Sequence, residues 1–174
     1  MLYSRARSLR TKKRTAVLIA SAVAAFMVVG PTASSMEAGT RRGSGYNFKS
    51  AEQCFMKKIN QARQRRGLRA LQWDKQLGYV ARVHANEMAR QRAVYHDANV
   101  GNEVTRWRSI AQNTGRGRSC KRTFKSFMRS APHQHNIMGT WRYLGVGIEY
   151  SGAYVYVQQI FERNNNPGNV YHWP

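Results

Sequence analysis

The stretch that decides the fold runs from Tyr143 to Phe161 and reads YLGVGIEYSGAYVYVQQIF. It contains two strand patterns, Tyr143 to Tyr150 and Ala153 to Phe161, because β-branched and aromatic residues dominate both. Ser151 and Gly152 lie between them and predict a tight hairpin. The sequence therefore predicts an antiparallel pair of strands near the end of the chain.

Three helix patterns precede this hairpin. The first begins at a capping box over Ser50–Gln53, the second begins at Asp74, and the third runs from about Ser119 to Arg129. Residues 94–120 are rich in glycine and polar side chains, which predicts a long loop. Because the helices come first and the hairpin last, we expect an α+β domain in which helices cover an antiparallel sheet.

The basic charge is divided between an export signal and the rest of the chain. The 174 residues include 29 Lys and Arg against 8 Asp and Glu, a net charge of +21. Six basic residues precede an uncharged run from Ala16 to Val29, shorter than the roughly 20 residues that cross a bilayer. This predicts a signal peptide over residues 1–35, cleaved after Ser35 or Ala33, with an uncleaved anchor as the alternative. Cleavage leaves 23 basic and 8 acidic residues, so we expect a basic protein secreted to the extracellular side.

The remaining chain divides into three parts by composition. Residues 36–49 are rich in Gly, Ser, Thr and Arg and predict a flexible lead-in. Residues 50–163 carry the helix and strand patterns of one domain, which we expect to be a monomer. Residues 164–174 form a tail rich in Asn, Pro and Gly. The hydrophobic fraction of 42% is enough for a packed core and argues against a wholly disordered polycation.

The two cysteines, Cys54 and Cys120, are the only candidates for a disulfide, which would persist outside the cytoplasm. If the bond exists, its pairing is forced, and closing a loop of this size contributes about 4 kcal/mol in the loop-entropy description. Two buried free thiols are the alternative. Neither cysteine belongs to a Cys-x-x-Cys pair, so nothing indicates a catalytic thiol.

The five histidines are the main candidates for chemistry. His84 lies on the apolar stripe of the second helix and is expected in the core, and His172 lies in the tail. His96, His133 and His135 lie in loops or at element ends, where functional groups are often presented. An extended segment would let His133 and His135 bind one metal ion together with His96. At the start of a helix those two side chains point about 200° apart, so we favour His96 with His133 as the pair at a site.

Established catalytic motifs are missing from the sequence. It has neither a His-Glu-x-x-His pattern nor a Gly-x-Ser-x-Gly elbow. Ser130 lies near His133, but a helix-terminal role for this serine is favoured. The carboxylates outside obvious capping or linker positions are Glu87, Asp97, Glu103, Glu149 and Glu162. Composition alone therefore does not support catalysis.

The segment from Phe127 to Met138, FMRSAPHQHNIM, resembles a motif of the bacterial CAP (SCP-like) domain. The family motif reads aromatic-Met-x-Ser-Pro-x-His-Arg-x-Asn-Ile-Leu. The resemblance covers about residues 52–163 in unbroken order. The other similar segments are Ile59–Arg63, Leu71–Asp74, His84–Met88, Leu144–Ile148 and Tyr154–Phe161. The ordered set identifies the chain as similar to the secreted bacterial branch of this superfamily of cysteine-rich secretory, antigen 5 and pathogenesis-related proteins.

The resemblance implies a three-layer α-β-α sandwich with a small antiparallel sheet and a cleft that holds two histidines and two acidic residues. His96 and His133 match the cleft histidines, Gln112 stands where the family usually has Glu, and Ser130 falls on the second acidic position. An amide and a hydroxyl are uncharged, so we expect a cleft without anionic ligands. A divalent ion, zinc or calcium, should then bind only weakly at His96 and His133, and no cofactor is required.

For function, the resemblance implies a secreted protein that binds a lipid, a sterol, a metal, an anionic surface or a protein. One alternative is a secreted hydrolase that uses the His96 and His133 cleft, with or without a metal ion. Another is a basic protein that binds a polyanion of the cell envelope or a membrane surface. No specific nucleic-acid partner is expected, because the basic residues are spread along every helix and form no recognisable nucleic-acid motif. Binding is favoured over enzymatic activity.

Overall fold

The computed structural model describes residues 2–4, 48–164 and 170–171. Most of the predicted signal peptide, most of the lead-in, most of the tail and His172 lie outside these residues. The described helices are α1 (Ser50–Gln64), α2 (Lys75–Gln91), α3 (Val100–Glu103), α4 (Cys120–Arg129) and α5 (Ala131–Met138). The described strands are β1 (Leu2–Ser4), β2 (Gln72–Asp74), β3 (Ser109–Gly117), β4 (Tyr143–Ser151), β5 (Tyr154–Arg163) and β6 (Val170–Tyr171).

The predicted hairpin is confirmed and forms the centre of the sheet. Strands β4 and β5 pair antiparallel from Tyr143 opposite Glu162 to Ser151 opposite Tyr154. The turn between them contains Gly152 at a φ of +58°, a left-handed conformation that glycine adopts without strain. The described strands form one sheet in the order β1-β3-β5-β4-β2-β6.

The α+β sandwich is confirmed, and its sheet is mixed. Strand β2 runs parallel to β4, whereas β3 pairs antiparallel with β5 along its whole length. Helices α1, α4 and α5 cover one face, where Leu144, Val146 and Ile148 of β4 join their core cluster. Helix α2 covers the other face and packs with Ile110 and Ile160. The result is three layers, helix, sheet and helix.

The prediction that residues 94–120 are loop-rich is wrong for β3. This strand is nine residues long, although its sequence, SIAQNTGRG, is dominated by polar residues and glycine. Gln112, Asn113 and Thr114 are all buried, and the first two are hydrogen-bonded inside the domain. Buried polar groups need such partners, and here the partners come from distant segments. The tertiary structure therefore overrides the low strand propensity of the sequence.

Helix α2 lies directly on β4 because two glycines leave room for its backbone. A Cβ atom at Gly145 would overlap the backbone of Leu77, and one at Gly147 would overlap the backbone of Ala81. Any side chain at these positions would push the helix away from the sheet. The Gly-Val-Gly pattern of β4 is thus a packing requirement of the α2 face.

The caps of the first two helices differ in how well the sequence predicted them. The capping box at α1 uses Lys49 and Glu52, one residue earlier than predicted, since the Glu52 carboxylate accepts a 2.9 Å bond from the Lys49 N–H. Glu52 is completely buried and also pairs with the Arg82 guanidinium of α2 at 2.6 Å. At α2 the predicted cap is confirmed, because the Asp74 side chain accepts a 3.0 Å bond from the Leu77 N–H.

The predicted disulfide between Cys54 and Cys120 is formed. It joins α1 to the first residue of α4. Ser119, the residue before α4, accepts a 3.3 Å bond from the Arg122 N–H and caps the helix. The start of α4 is therefore fixed covalently and by a cap.

No helix within the described residues is long and apolar enough to cross a membrane.

One buried carboxylate in the core has an oxygen without a hydrogen-bond partner. Glu162 of β5 is 2% exposed, and its Oε1 has no hydrogen-bond partner. Burial, and next the nearby charge of Asp74, raise the pKa of Glu162 from 4.5 to about 7, although a hydrogen bond from Asn164 opposes the shift. Between pH 4.5 and about 7, the folded state therefore keeps a proton on Glu162 that the unfolded chain has already released.

Glu162→Gln should make the protein more stable at alkaline pH. The free energy of unfolding of the parent falls as the pH rises through this window, because the folded chain must ionise a buried acid. The amide cannot ionise, so the variant should be more stable than the parent by up to about 3 kcal/mol at pH 8 and little changed at pH 4. Urea denaturation at several pH values measures this difference.

Glu149→Gln is the matched control. The pKa of Glu149 is lowered because its hydrogen bond and ion pair with Lys49 outweigh the opposing, largest effect of burial. Its carboxylate therefore stabilises the fold above its unfolded pKa, and this variant should lose stability at neutral pH. Identical pH profiles for Glu162→Gln and the parent would contradict the assigned role of Glu162.

Candidate functional site

A pocket of 460 Å³ opens beside His96. Helix α2 forms one wall, and the segment that follows it forms the other together with the end of α3. The lining residues are Val83, His84, Glu87, Gln91, Tyr95, His96, Asp97, Ala98, Asn99 and Glu103. We refer to this cavity as the His96 pocket.

The His96 pocket contains carboxylates, whereas the expected cleft of His96 and His133, with Gln112 and Ser130 at the acidic positions, remains a prediction. Asp97 is 7% exposed, and Glu87 and Glu103 also line the cavity. Burial raises the pKa of Glu103, and the neighbouring Asp97 raises it further through its charge and a hydrogen bond. The two carboxyl groups therefore lie close together. Sequence reasoning placed all three residues outside capping positions but had no signal that they meet around His96.

Gln112 of β3 clamps the segment that carries His96. Its Oε1 accepts bonds from the Asp97 N–H at 3.0 Å and from Gln158 Nε2 at 2.9 Å. Its Nε2 donates to the Asp97 carbonyl oxygen at 2.8 Å. The side chain is 2% exposed, and both ends of its amide are engaged. Gln112 is thus a structural tether at the position where the resemblance implies a Glu.

His96 itself faces the pocket. The residue is exposed, but desolvation of its ring lowers its pKa, and a hydrogen bond with the Gln112 side chain opposes this shift. The neutral imidazole is therefore the main form at pH 7. A neutral ring can accept a proton or a hydrogen bond, or bind a soft metal ion.

His133 is the third residue of α5, which confirms the prediction of a helix start at this segment. Its Nδ1 lies 2.8 Å from Ser130 Oγ, and its ring packs on Phe127 with centroids 4.8 Å apart. Burial lowers its pKa, followed by the charge of His96, while a hydrogen bond to the Thr114 backbone raises it. His96 and His133 are thus within electrostatic range of each other, although His133 does not line the His96 pocket.

Of the other two described histidines, His84 lines the His96 pocket beside His96, whereas His135 does not line it. His84 is buried, and its Nε2 is 2.9 Å from the Tyr95 carbonyl oxygen, as expected for a core histidine. Its ring also meets the Tyr95 ring edge-on at 4.9 Å and forms part of the pocket wall. His135 is exposed on α5.

A network of amide side chains fixes α5 on β3. Asn113 Nδ2 donates to the His133 carbonyl oxygen at 3.2 Å and to Gln159 Oε1 at 3.1 Å. Asn136 Nδ2 donates to the Gln112 carbonyl oxygen at 3.1 Å and to Asn113 Oδ1 at 2.9 Å. This network holds the backbone of His133. The sequence shows the amides but not their partners, because they come from three separate elements.

The far end of α5 is held by a buried arginine. Arg63 of α1 is 2% exposed, and its Nη1 donates to the carbonyl oxygens of Ile137 at 2.8 Å and Gly139 at 2.9 Å. Its Nε donates to the Arg69 carbonyl oxygen at 2.9 Å. These bonds satisfy carbonyl groups that a helix end leaves free. Helix α5, with His133 and Ser130 at its start, is therefore held at both ends.

A second and larger concavity lies along α1. This groove has a volume of 1120 Å³. Its floor includes the buried side chains of Met56 and Leu71, and its rim carries the basic side chains of Lys57, Arg69 and Arg142. We refer to it as the α1 groove. It combines an apolar floor with a cationic edge.

The described residues do not form a metal site of the usual kind. No group of three or more His, Cys, Asp and Glu within residues 48–164 is arranged to hold a metal ion. Gln112 and Ser130 are both engaged in hydrogen bonds within the fold. Weak zinc or calcium binding at His96 and His133 remains a prediction.

Comparison with known proteins identifies the family. The model of the CAP family, the cysteine-rich secretory protein family, matches residues 56–161. The chain belongs to this family. No curated protein matches its sequence.

Solved CAP-type structures share the fold at low sequence identity. An outer surface protein from Borrelia burgdorferi matches with a TM-score of 0.62 and 14% identity, over 69% of this chain and 97% of its own. An extracellular protein containing an SCP domain from Bacillus anthracis matches with a TM-score of 0.59 and 22% identity, over 66% of this chain and 40% of its own. The venom allergen-like protein 4 of Schistosoma mansoni matches with a TM-score of 0.53 and 16% identity, over 73% of this chain and 97% of its own. At these identities the likeness concerns the fold alone.

Gln112→Glu should increase the affinity for zinc about tenfold. It would place a carboxylate beside His96, and a charge-assisted contact contributes about 1.5 kcal/mol or more. The glutamate would also lose the bond that Gln112 donates to the Asp97 carbonyl oxygen, so a loss of stability of about 1–3 kcal/mol should accompany the gain. Calorimetric titration with zinc and calcium measures the affinity.

The control adds a histidine substitution to the Gln112→Glu background. His96→Ala should abolish the gain in zinc affinity, whereas His135→Ala should leave it unchanged because His135 lies on the exposed side of α5. Equal zinc binding by the parent and Gln112→Glu would refute the expected role of the missing carboxylate.

Proposed function

We propose that the chain is a secreted CAP-domain protein that acts by binding a ligand, without chemical turnover. The signal-peptide pattern at the start of the sequence supports export. The family description as secretory proteins, and structural neighbours described as outer surface or extracellular, favour the same location.

The engagement of Gln112 is the observation that carries the proposal. Acid–base chemistry in the cleft needs a group that can exchange a proton, and an amide held at both ends by Asp97 and Gln158 cannot do so. Gln112 thereby fixes the segment that carries His96 and Asp97, which favours a preformed binding surface at this position.

The α1 groove favours a lipid with an anionic head group as the ligand. Half-buried Cys54 and Ala70 offer apolar surface to an acyl chain, above Met56 and Leu71, which are almost fully buried. Lys57, Arg69 and Arg142 at the rim can pair with a carboxylate or phosphate. A ligand of this kind uses both parts of the groove, whereas a sterol with a hydroxyl head would use only the floor.

A long-chain fatty acid should therefore bind more tightly than a sterol, and its binding should depend on the rim. The double variant Lys57→Gln, Arg142→Gln is expected to lower fatty-acid affinity about tenfold, since each charged contact contributes about 1 kcal/mol at an exposed edge. Displacement of a fluorescent fatty acid from the purified protein measures the affinity.

The double variant Arg65→Gln, Arg66→Gln is the matched control. It removes the same charge from two exposed positions beyond the end of α1, neither of which lines the groove. It should leave fatty-acid affinity within about twofold of the parent. An equal loss in both double variants, or tighter binding of the sterol, would reject the groove as the site of an anionic lipid.

Hydrolysis is a second candidate function, favoured by one contact. Ser130 Oγ and His133 Nδ1 are 2.8 Å apart, within the range of a nucleophile and its base. Burial lowers the pKa of His133, and a ring hydrogen bond to the Thr114 backbone opposes this shift and leaves Nδ1 free to accept from the hydroxyl. The same contact also has a structural explanation, because Ser130 directly precedes α5 and His133 is three residues further along the chain.

If this candidate is correct, the protein hydrolyses a chromogenic ester, and Ser130→Ala and His133→Ala each abolish the reaction. Burial lowers the pKa of His133 from 6.5, so the ring would be the neutral base at pH 6.5 and above. The rate would therefore be level from pH 6.5 to pH 8. His135→Ala is the control and should retain full activity. Absence of turnover, or turnover that survives both substitutions, would leave ligand binding as the function.

A further inference from the structure

Helix α4 has one apolar side and one basic side. Its buried residues, Cys120, Thr123 and Phe127, face the core, and Phe124 and Met128 pack against the same cluster. The opposite side is exposed. It carries Lys121, Arg122, Lys125, Ser126 and Arg129.

The basic side continues onto the end of β3. Arg116 and Arg118 are exposed, and their guanidinium carbons lie 5.2 and 5.9 Å from the centroid of the Tyr154 ring. Arg118 directly precedes the Ser119 cap, so these arginines adjoin the four basic residues of α4 along the chain. We call this set the α4 cationic face, and its members are Arg116, Arg118, Lys121, Arg122, Lys125 and Arg129.

The charge of this face is not neutralised by neighbouring side chains. The sequence has no acidic residue between Val104 and Ile148. None of the ion pairs found among residues 48–164 includes a member of the face. Six cations held together in this way repel one another, and they attract a polyanion strongly.

The arrangement of the charges is linear. Lys121, Lys125 and Arg129 are spaced four residues apart on the helix, so successive cations recur about every 6 Å along its axis. The disulfide at Cys120 and the Ser119 cap fix the start of this row. A fixed row of cations loses little freedom when it binds and matches a line of regularly spaced anions.

The uncharged neighbours of the face argue against a membrane and against nucleic-acid bases. None of the large apolar side chains that are exposed in the described residues belongs to α4. The helix therefore has no side chain that would enter a bilayer. Tyr154 is 36% exposed, but two guanidinium groups lie 5.2 and 5.9 Å from its ring centroid and would compete with a base for the ring.

We infer that the α4 cationic face binds a linear phosphodiester polymer that carries no bases, of the poly(glycerol phosphate) type that an exported protein meets in a cell envelope. The face contacts the phosphates of successive units. The inference shares only the expected export with the proposed lipid function, because the α1 groove lies elsewhere and involves other basic residues. Variants of the two surfaces therefore separate the two ideas.

The test measures binding of synthetic poly(glycerol phosphate) to the full chain at several salt concentrations, by fluorescence anisotropy. The triple variant Lys121→Gln, Lys125→Gln, Arg129→Gln should lower the affinity at least tenfold at 0.1 M salt. The slope of log affinity against log salt should become less steep by about 2, as for the loss of three phosphate contacts. The control triple variant Arg65→Gln, Arg66→Gln, Arg108→Gln removes the same charge and should change the affinity less than threefold.

Three comparisons distinguish the outcomes. Equal losses in the two triple variants would show that net charge alone drives binding and would overturn the assignment to this face. Single-stranded DNA with the same number of phosphates should bind within about threefold of the glycerol polymer, and binding more than tenfold tighter would mean that bases are read. Vesicles of phosphatidylglycerol and phosphatidylcholine that bind more tightly than the polymer, with the same loss in the α4 variant, would assign the face to a membrane. Thermal unfolding of each variant confirms that it is folded.

Discussion

The close contact between α2 and β4 determines where the candidate site lies. Gly145 and Gly147 have no side chains, so the backbone of α2 rests on the sheet at Leu77 and Ala81. The same helix supplies one wall of the His96 pocket. Because β4 lies between β5 and β2 inside the sheet, displacing α2 would move the pocket wall away from the segment that Gln112 holds on β3. The pocket thus depends on two positions that cannot carry a side chain.

Local signals in the sequence were enough to predict the hairpin, the cap at Asp74 and the pairing of Cys54 with Cys120. Strand alternation, a capping carboxylate and a pair of cysteines are each recognisable without knowledge of distant residues. Strand β3 could not be predicted in this way. Its amides form a strand because Asp97 and residues of α5 and β5 satisfy them, and those partners are 15 or more positions away in the sequence.

The candidate site was predicted only in part for the same reason. The resemblance indicated His96 and His133, and the structure places them within electrostatic range of each other. It could not indicate that Gln112 holds the backbone of Asp97 from both ends of its amide. Nor could it indicate that Glu103 meets Asp97 beside His96, because that contact depends on how α3 folds back onto the pocket.

The distribution of the few acidic residues links the site to the surface. Glu52, Asp74, Asp97 and Glu162 are buried, where each carboxylate is held by hydrogen bonds or an ion pair, or is raised in pKa. Carboxylates committed to the interior cannot balance arginines and lysines outside. The mutual repulsion of those surface cations opposes folding, and the disulfide between α1 and α4 counters it where the repulsion is concentrated. The same constraint that gives the core its buried acids therefore leaves the exposed face of α4 with an unbalanced positive charge.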